Sequence, residues 1–148
     1  MTNTGAEPSE HEDRWVLNLR GTSIARISVD FQLTLTLESG WAVALEGPAR
    51  LSSGSAHADR GVLLSPESQD VAAALPLFGA TVLSLVAFKS GGLRVVFGNG
   101  AHLTCPSTAS FEAWQITGPQ GWRFVSLPGG DLAVWSGPEE PEPQQDQA

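Results

Sequence analysis

The dominant pattern of the chain is an alternation of apolar and polar residues, which is strongest across residues 27–45. Apolar side chains occupy every odd position from Ile27 to Leu37, and the alternation resumes at Trp41. A period of two is typical of a strand with one buried face. Pairing Leu37 with Trp41 keeps both apolar sets on one face. The pattern therefore predicts a three-residue loop with a left-handed residue at Gly40.

A second hairpin of the same kind is predicted sixty residues later. Its apolar and glycine positions follow those of the first hairpin at one constant offset: Leu93, Val95, Phe97, Gly100, Leu103 and Cys105. Asn99-Gly100 alone would favour a two-residue turn. That turn would place Leu103 and Cys105 opposite Val96 and Arg94, which contradicts the apolar phase, so a three-residue loop is expected. The two related hairpin units indicate a duplication or a chance similarity between β-hairpins.

Residues 111–135 predict three short strands. Two turn signals, Gly118-Pro119-Gln120-Gly121 and Pro128-Gly129-Gly130-Asp131, divide this block, which carries three of the five tryptophans. Large aromatic side chains at strand positions supply much apolar area. We expect Trp114 and Trp135 to lie in the core.

One short helix is predicted near residues 66–78. Ser65 suits the N-cap and Pro66 the first helical position, while Gly79 suits the end. Its expected apolar face holds three residues: Val71, Leu75 and Phe78. Before this helix, the Ser-, Ala- and Gly-rich residues 51–61 predict a surface loop.

The uncharged run 71–88 approaches the length of a membrane span. It contains Pro76 and Gly79, and a short helix followed by a buried strand explains the same run. We therefore expect no membrane insertion.

Together these patterns predict a mainly β (α+β) fold. Antiparallel hairpins and a meander would form a curved sheet, a sandwich or a partly open barrel. Residues 14–136 form the expected single globular domain, in keeping with a chain of 148 residues. The acidic segment 1–13 and the Pro/Glu/Gln-rich segment 137–148 are predicted to be disordered tails.

The net charge of −8 belongs to these tails. Four acidic residues and no basic residue lie in each, so residues 14–136 carry eight bases against eight acids. A balanced domain without a basic cluster argues against nucleic-acid binding. A single cysteine excludes an intrachain disulfide, and the polar N-terminus lacks a signal-peptide pattern. The sequence therefore predicts a cytoplasmic protein.

No constellation of residues predicts a catalytic, metal or cofactor site. His11, His57 and His102 are scattered, and Cys105 lies on an apolar strand face, where a thiol is usually inert. Glu112 lies beside aromatic residues and could be an acid of raised pKa or a partner contact. It could also be a structural acid that accepts backbone N–H bonds or pairs with Arg94 or Arg123.

Trp41 and Trp122 each directly follow a turn. A tryptophan at the end of a hairpin is either an exposed binding anchor or a peripheral packing residue. The candidate partner-binding residues are therefore Trp41, Trp122, Glu112 and Arg123.

The segments Glu112-Ala113-Trp114, Gly118-Pro119 and Leu127-Pro128-Gly129-Gly130, followed by Leu132-Ala133-Val134-Trp135, resemble a C-terminal signature. It is that of an uncharacterised bacterial domain of unknown function, met mainly in high-GC Gram-positive bacteria. The resemblance covers roughly residues 15–136 and implies no catalytic residues. Immunity proteins of toxin systems are similar by analogy of size and architecture alone.

Three functional hypotheses follow. The first is a non-enzymatic cytosolic protein-binding module, with an immunity-type protein that binds and occludes a toxin or effector as its concrete version. The second is a small enzyme that uses Glu112 with a nearby arginine. The third is a structural or oligomerising β module that adds strands at a sheet edge. The oligomeric state stays open.

Overall fold

The computed structural model describes residues 7–53 and 61–136 and contains, within them, two antiparallel sheets. Along the chain the strands are β1 Ser9–Glu10, β2 Arg14–Val16, β3 Ile24–Val29, β4 Leu33–Leu37, β5 Ala42–Leu45, β6 Ala49–Ser53, β7 Val62–Leu64, β8 Val82–Phe88, β9 Leu93–Phe97, β10 Ala101–Cys105, β11 Trp114–Thr117, β12 Arg123–Leu127 and β13 Asp131–Trp135. The seven-stranded sheet has the order β1-β2-β8-β9-β10-β6-β7, and the six-stranded sheet has the order β13-β12-β11-β5-β4-β3. The mainly β, antiparallel prediction is confirmed. The sheets share one core, as in a sandwich.

Both predicted hairpin registers are confirmed. Leu35 pairs with Val43 in the first hairpin, and Val95 pairs with Leu103 in the second. Gly40 and Gly100 have φ values of 96° and 93°, the left-handed conformation that each three-residue loop requires.

The two hairpins belong to three-stranded meanders, β3–β5 and β8–β10, that share further features. The first two strands of each meander shift register at a corresponding place, between Ile24 and Arg26 in one and between Val82 and Ser84 in the other. The strand that follows each meander crosses to the opposite sheet, so β6 pairs with β10 and β11 pairs with β5. The two sheets are therefore interlocked. The duplication itself stays a prediction.

Corresponding residues of the two meanders also bond to each other. Ser23 bridges to Thr81, and their hydroxyl oxygens lie 3.1 Å apart. The Ile24 N–H donates to the carbonyl of Ala80 at 3.0 Å, and the Val82 N–H donates to that of Thr22 at 2.8 Å. This reciprocal pairing joins the two segments that lead into the meanders.

The apolar stripe that begins at Ile27 is two strands rather than one. A turn at residues 30–32 separates β3 from β4, with the backbone N–H of Gln32 bonded to the Asp30 carboxylate at 2.7 Å. Phe31 lies at the tip of this turn and is 74% exposed. A loop of three residues leaves the apolar residues at odd positions on both sides of the turn. The alternation is therefore unbroken there, and the sequence pattern does not reveal the turn.

The expected helix near residues 66–78 is present as two 3₁₀ helices, Pro66–Ser68 and Ala72–Leu77. The predicted apolar face was wrong: Leu75 and Phe78 are 50% and 64% exposed. The buried residues are instead Val71, Ala74 and Leu77. Their spacing of three is that of a 3₁₀ helix, with 3.0 residues per turn.

Two further expectations are corrected at the ends of the domain. Residues 7–13 are ordered rather than disordered, since β1 pairs with β2 and Lys89 Nζ lies 2.7 Å from the Glu10 carboxylate. Trp135 is 52% exposed rather than part of the core. The disorder predicted for residues 1–6 and 137–148 falls outside the described residues.

The prediction of a surface loop over residues 51–61 was wrong at its start, because residues 51–53 belong to β6. Residues 54–60 of that loop lie outside the described part of the chain. In the described ranges, no helix has the length and apolar character needed to cross a bilayer.

The core contains Trp114, as predicted, and it is 1% exposed. The Trp114 indole N–H and the Ser126 hydroxyl both donate to the carbonyl of Gly91, at 2.9 and 2.8 Å. These two hydrogen bonds join the six-stranded sheet to the β8–β9 loop of the other sheet, at the residue before Gly92.

Candidate functional site

A groove of about 480 Å³ crosses the outer face of the seven-stranded sheet, and we name it the arginine groove. The side chains that line it are mainly apolar, with two arginines among them: Pro48, Arg50, Leu63, Phe88, Arg94, Thr104 and Pro106, around the backbone of Gly92. Its volume lies within the range of about 300–1,000 Å³ that is usual for ligand sites.

Strand register explains how these residues meet. Thr104 of β10 pairs with Arg94 of β9 on one side and with Arg50 of β6 on the other, and Arg50 pairs with Leu63 of β7. Directly paired residues lie on the same face of a sheet. The four side chains therefore form one row across the face opposite the core.

Gly92 opens the space beside this row. It has no side chain, and a Cβ built there would meet only the Phe88 ring, at 3.8 Å. The corresponding positions of the first meander are filled, because Gln32 takes the place of Gly92 and donates to Glu46 at 2.5 Å. The fold therefore does not require a groove at this place.

Two guanidinium groups flank the Phe88 ring at one end of the groove. Arg14 Cζ lies 5.3 Å and Arg94 Cζ 5.5 Å from the ring centroid, within the range of cation–π contacts. Arg14 is bonded to the Asp13 carboxylate at 3.0 Å, and this hydrogen bond lowers the pKa of Asp13.

Arg94 differs from Arg14 in its polar contacts. Its Nε is buried, and within residues 7–53 and 61–136 it has no hydrogen-bond partner. A guanidinium pairs best with a carboxylate or phosphate that accepts two parallel hydrogen bonds. The groove can therefore bind an anionic group beside an apolar one.

Cys105 lies beneath the groove and is 1% exposed. Burial raises the pKa of its thiol to about 12, so that the protonated form predominates at neutral pH. Its sulfur lies 3.6 Å from the carbonyl oxygen of Pro48, a weak contact typical of a structural thiol.

The four predicted partner-binding residues lie away from the groove. Trp41 is only 8% exposed and packs against Phe124 at 6.4 Å between ring centroids, so it is a packing residue rather than an exposed anchor. Trp122 is half-buried and stacked on the same Phe124 ring at 5.9 Å. Phe124 therefore brings the two tryptophans together.

The two charged members of that set are exposed. Arg123 donates to the side-chain oxygen of Gln115 at 3.1 Å and lies 5.4 Å from the Trp135 ring. Over the described ranges, Glu112 forms no ion pair with either arginine proposed for it. Those ranges also contain no group of three His, Cys, Asp or Glu residues placed to hold a metal ion.

Sequence reasoning missed the residues that form the groove. The sequence pattern indicates Arg94 only as a possible partner of Glu112, and it gives Phe88 no role beyond the end of the uncharged run 71–88. The available signal was Gly91-Gly92, a glycine pair directly before a strand, where a missing side chain can leave a depression.

Comparison with known proteins gives one result. No curated protein and no solved structure matches the chain. A family described as "Family of unknown function (DUF6188)" matches residues 15–136, from the second residue of β2 to the residue after β13. The chain therefore belongs to the DUF6188 family of unknown function.

Proposed function

We propose that this protein is a non-enzymatic protein-binding module that receives an extended acidic segment of a partner in the arginine groove. The concrete version is a cytoplasmic immunity-type protein that binds and occludes a toxin or effector. One observation carries the proposal: beside the Phe88 ring and the open floor at Gly92 lies the buried Nε of Arg94, which has no hydrogen-bond partner among the residues that the structure describes.

The energetics favour an anionic ligand. A buried N–H without a partner costs about 1–3 kcal/mol, and a hydrogen bond to a charged group contributes about 1.5–3 kcal/mol. A carboxylate that accepts from the rest of the Arg94 guanidinium would add the second contribution. It would remove the first cost only if the side chain turns so that the buried Nε also reaches the carboxylate. It would also reduce the repulsion between the two guanidinium groups held against Phe88.

The dimensions favour an extended segment. The row from Arg94 to Leu63 spans four strands, which corresponds to about 14 Å at a spacing of about 4.8 Å between strands. An extended chain covers this distance with about four residues. An apolar or proline residue against Phe88 and Pro106, next to a carboxylate at Arg94, matches the lining.

The test uses the products of the genes that adjoin the one for this protein. Each is produced, and its binding is measured by isothermal titration calorimetry. Arg94→Ala is expected to weaken binding about 10- to 100-fold, the equivalent of one charged hydrogen bond. Gly92→Val is expected to weaken it by filling the groove, since the backbone at Gly92 is not left-handed and a Cβ there makes only an ordinary contact.

Arg26→Ala is the control, since Arg26 is an exposed arginine on β3 of the other sheet and does not line the groove. It should leave the affinity unchanged. If an adjacent gene product arrests growth, co-production of the wild-type chain should restore growth, whereas Arg94→Ala should not. The proposal fails if no adjacent product binds, or if the bound product is insensitive to both groove variants.

The two other hypotheses stay predictions. For the enzyme, Glu112 is exposed and does not line the groove. For the strand-adding module, β3 and β13 lie at the edges of the six-stranded sheet, where a further strand would pair.

A further inference from the structure

We infer that two copies of this chain pair along the free edge of β3 and form a symmetric dimer, in which their six-stranded sheets join into one. The surface consists of residues 25–31, most of β3 and the start of the turn after it, and we name it the β3 edge. The inference goes beyond the proposed function and does not depend on it, because the arginine groove lies on the outer face of the other sheet.

The β3 edge presents backbone groups that are free to bond another strand. The Leu37 N–H donates to the Trp41 carbonyl at 2.7 Å, so the odd-numbered residues of β4 face β5 and the even-numbered ones face β3. Ile27 and Val29 pair with odd-numbered residues of β4, so their N–H and C=O groups point away from it. Since β3 ends its sheet, no other segment within residues 7–53 and 61–136 bonds to these groups.

The free part of this edge has the extent that a symmetric pair requires. At one end Ile24 is already paired, because it donates to the carbonyl of Ala80 at 3.0 Å and accepts from the Gly79 N–H at 2.9 Å. At the other end the chain turns back at Phe31. The residues between these limits are centred on Ser28. Two antiparallel copies that cross at Ser28 would therefore each cover the whole free edge of the other.

This crossing satisfies both the backbone and the charges. It pairs Ile27 of one copy with Val29 of the other, and each of these two symmetric pairs can exchange both of its hydrogen bonds. It also places Arg26 directly opposite Asp30 of the second copy, and opposite charges at facing positions stabilise a sheet. Registers that cross at Ile27 or Val29 keep the backbone pairing but lose this charge pairing. Crossing at Ser28 is therefore the favoured register.

Both charged groups are available for the contact. Arg26 and Asp30 are exposed, and in the part of the chain that the structure describes neither forms an ion pair. One oxygen of the Asp30 carboxylate accepts the Gln32 N–H at 2.7 Å, which leaves the other oxygen for a guanidinium. Among the described strands that end the two sheets, β3 alone combines a base with an acid directly after it. An edge that is complementary to itself favours a second copy as its partner.

Apolar side chains border the same edge. Val29, Phe31 and Phe78 are all exposed. In this register Phe31 would lie opposite Ala25 of the second copy. Phe78 precedes Gly79, which bonds to the residue before Ala25, so the rings of Phe31 and Phe78 would meet across the interface. The dimer would bury apolar surface that a single copy leaves in water.

The first experiment measures self-association of the full chain. A short strand pair with a few apolar contacts is a small interface, for which we expect a dissociation constant on the order of 10 µM. Sedimentation velocity between about 5 and 500 µM should therefore show the 15.6-kDa monomer converting to a dimer. Raising the salt concentration from about 50 to about 500 mM should weaken association at least about threefold by screening the charges. A chain that stays monomeric at the highest concentration overturns the inference.

Charge reversal tests the register. Arg26→Glu and Asp30→Lys should each weaken self-association about tenfold or more, because each places two pairs of like charges across the interface. An equal mixture of these two variants should associate nearly as well as the wild type, since every facing pair then has opposite charges. Arg20→Glu is the matched control, because it makes the same change at an exposed arginine outside the β3 edge, and it should have no effect. A mixture that stays monomeric while the wild type dimerises overturns the inference.

A milder variant keeps this test valid if Asp30→Lys fails to fold. Asp30→Asn retains an oxygen that can accept the Gln32 N–H, so circular dichroism should match that of the wild type. It removes the negative charge from both facing pairs and should weaken self-association about two- to tenfold. An unchanged dissociation constant in this variant would contradict the pairing with Arg26.

Amide hydrogen exchange followed by NMR locates the interface without a substitution. The amides of Ile27 and Val29 should exchange several-fold more slowly in concentrated than in dilute samples, because they are bonded only in the dimer. The Ser28 amide faces β4 and is bonded within one copy, so its rate should not change with concentration. If sedimentation shows a dimer but Ile27 and Val29 exchange at the same rates in both samples, the copies pair elsewhere and the inference is overturned.

Discussion

Gly118→Ala is expected to destabilise the protein through one steric contact. A Cβ at Gly118 would lie 2.6 Å from three atoms of the Trp41 ring, far inside van der Waals contact. The ring cannot easily retreat, since Trp41 is 8% exposed and packs against Phe124. The backbone itself, with φ −137° and ψ 176°, is extended and suits any residue.

The magnitude is the difference of two effects. Overpacking a core costs about 1–3 kcal/mol. Replacing glycine by alanine at a compatible backbone returns about 0.4–1 kcal/mol by restricting the unfolded chain. The net loss is therefore about 1–2 kcal/mol, a substantial part of the 5–15 kcal/mol by which a domain is usually stable.

Urea unfolding measures this loss. For an m value of about 1.5 kcal/mol per M, the midpoint should fall by roughly 1 M. Gly98→Ala is the matched control, because Gly98 also follows a strand, is not left-handed, and a Cβ there would lie 3.6 Å from its nearest neighbour. It should be neutral or slightly stabilising.

A double-mutant cycle isolates the contact. With Trp41→Leu already present, Gly118→Ala should cost less than about 0.5 kcal/mol, because the ring it strikes is gone. The reasoning is refuted if Gly118→Ala alone leaves the midpoint within 0.3 M of the wild type, or if its cost is the same in both backgrounds.

Three further predictions follow from single contacts. Burial raises the pKa of Cys105 from 9.0 to about 12, so the folded protein favours the protonated thiol. The free energy of unfolding should therefore fall as pH rises from 9 towards 12. Between pH 8 and pH 10.5 the urea midpoint should fall less in Cys105→Ala than in the wild type. Ser126→Ala should cost about 0.5–1.5 kcal/mol in urea unfolding, the low end for a buried hydrogen bond, because the Gly91 carbonyl keeps the Trp114 indole as a donor; a cost above 3 kcal/mol would contradict this account. Gly40→Ala should lose about 1–3 kcal/mol in thermal unfolding, because φ is 96° there, and an unchanged midpoint would show that the loop adopts another turn.

The apolar phase of the sequence was sufficient to predict the two hairpins, including their loops. At the second loop, turn preference and phase disagreed, and phase was right: Leu103 pairs with Val95, as burial of both requires. Burial of each apolar side chain of a strand contributes about 1.5–3 kcal/mol, and a strand buries several of them. Turn preferences are weaker, so the buried face decides the register.

The same reasoning failed where a pattern had two physical origins. An odd-numbered loop leaves the alternation unbroken, so the turn at residues 30–32 could not be seen. A 3₁₀ helix buries every third residue, whereas an α-helix has a period of 3.6 residues. The two periods therefore predict different buried residues for the same segment. Val71 satisfies both periods, whereas Leu75 satisfies only the period that the structure does not use.

The arginine groove could not be predicted for a different reason, since it depends on which solvent-facing residues become neighbours. Arg94, Thr104 and Arg50 sit in one row only because β6 crosses from the first meander to pair with β10. Phase arguments describe the buried face and leave the other face unspecified. The two meanders supply the missing comparison: the same strand geometry carries a Gln32–Glu46 hydrogen bond on one sheet and an open floor at Gly92 on the other. The same strand geometry therefore occurs with side chains that fill this space and without them. The groove is set by the residues at these positions, so substitutions at Gly92 and Arg94 test its chemistry most directly.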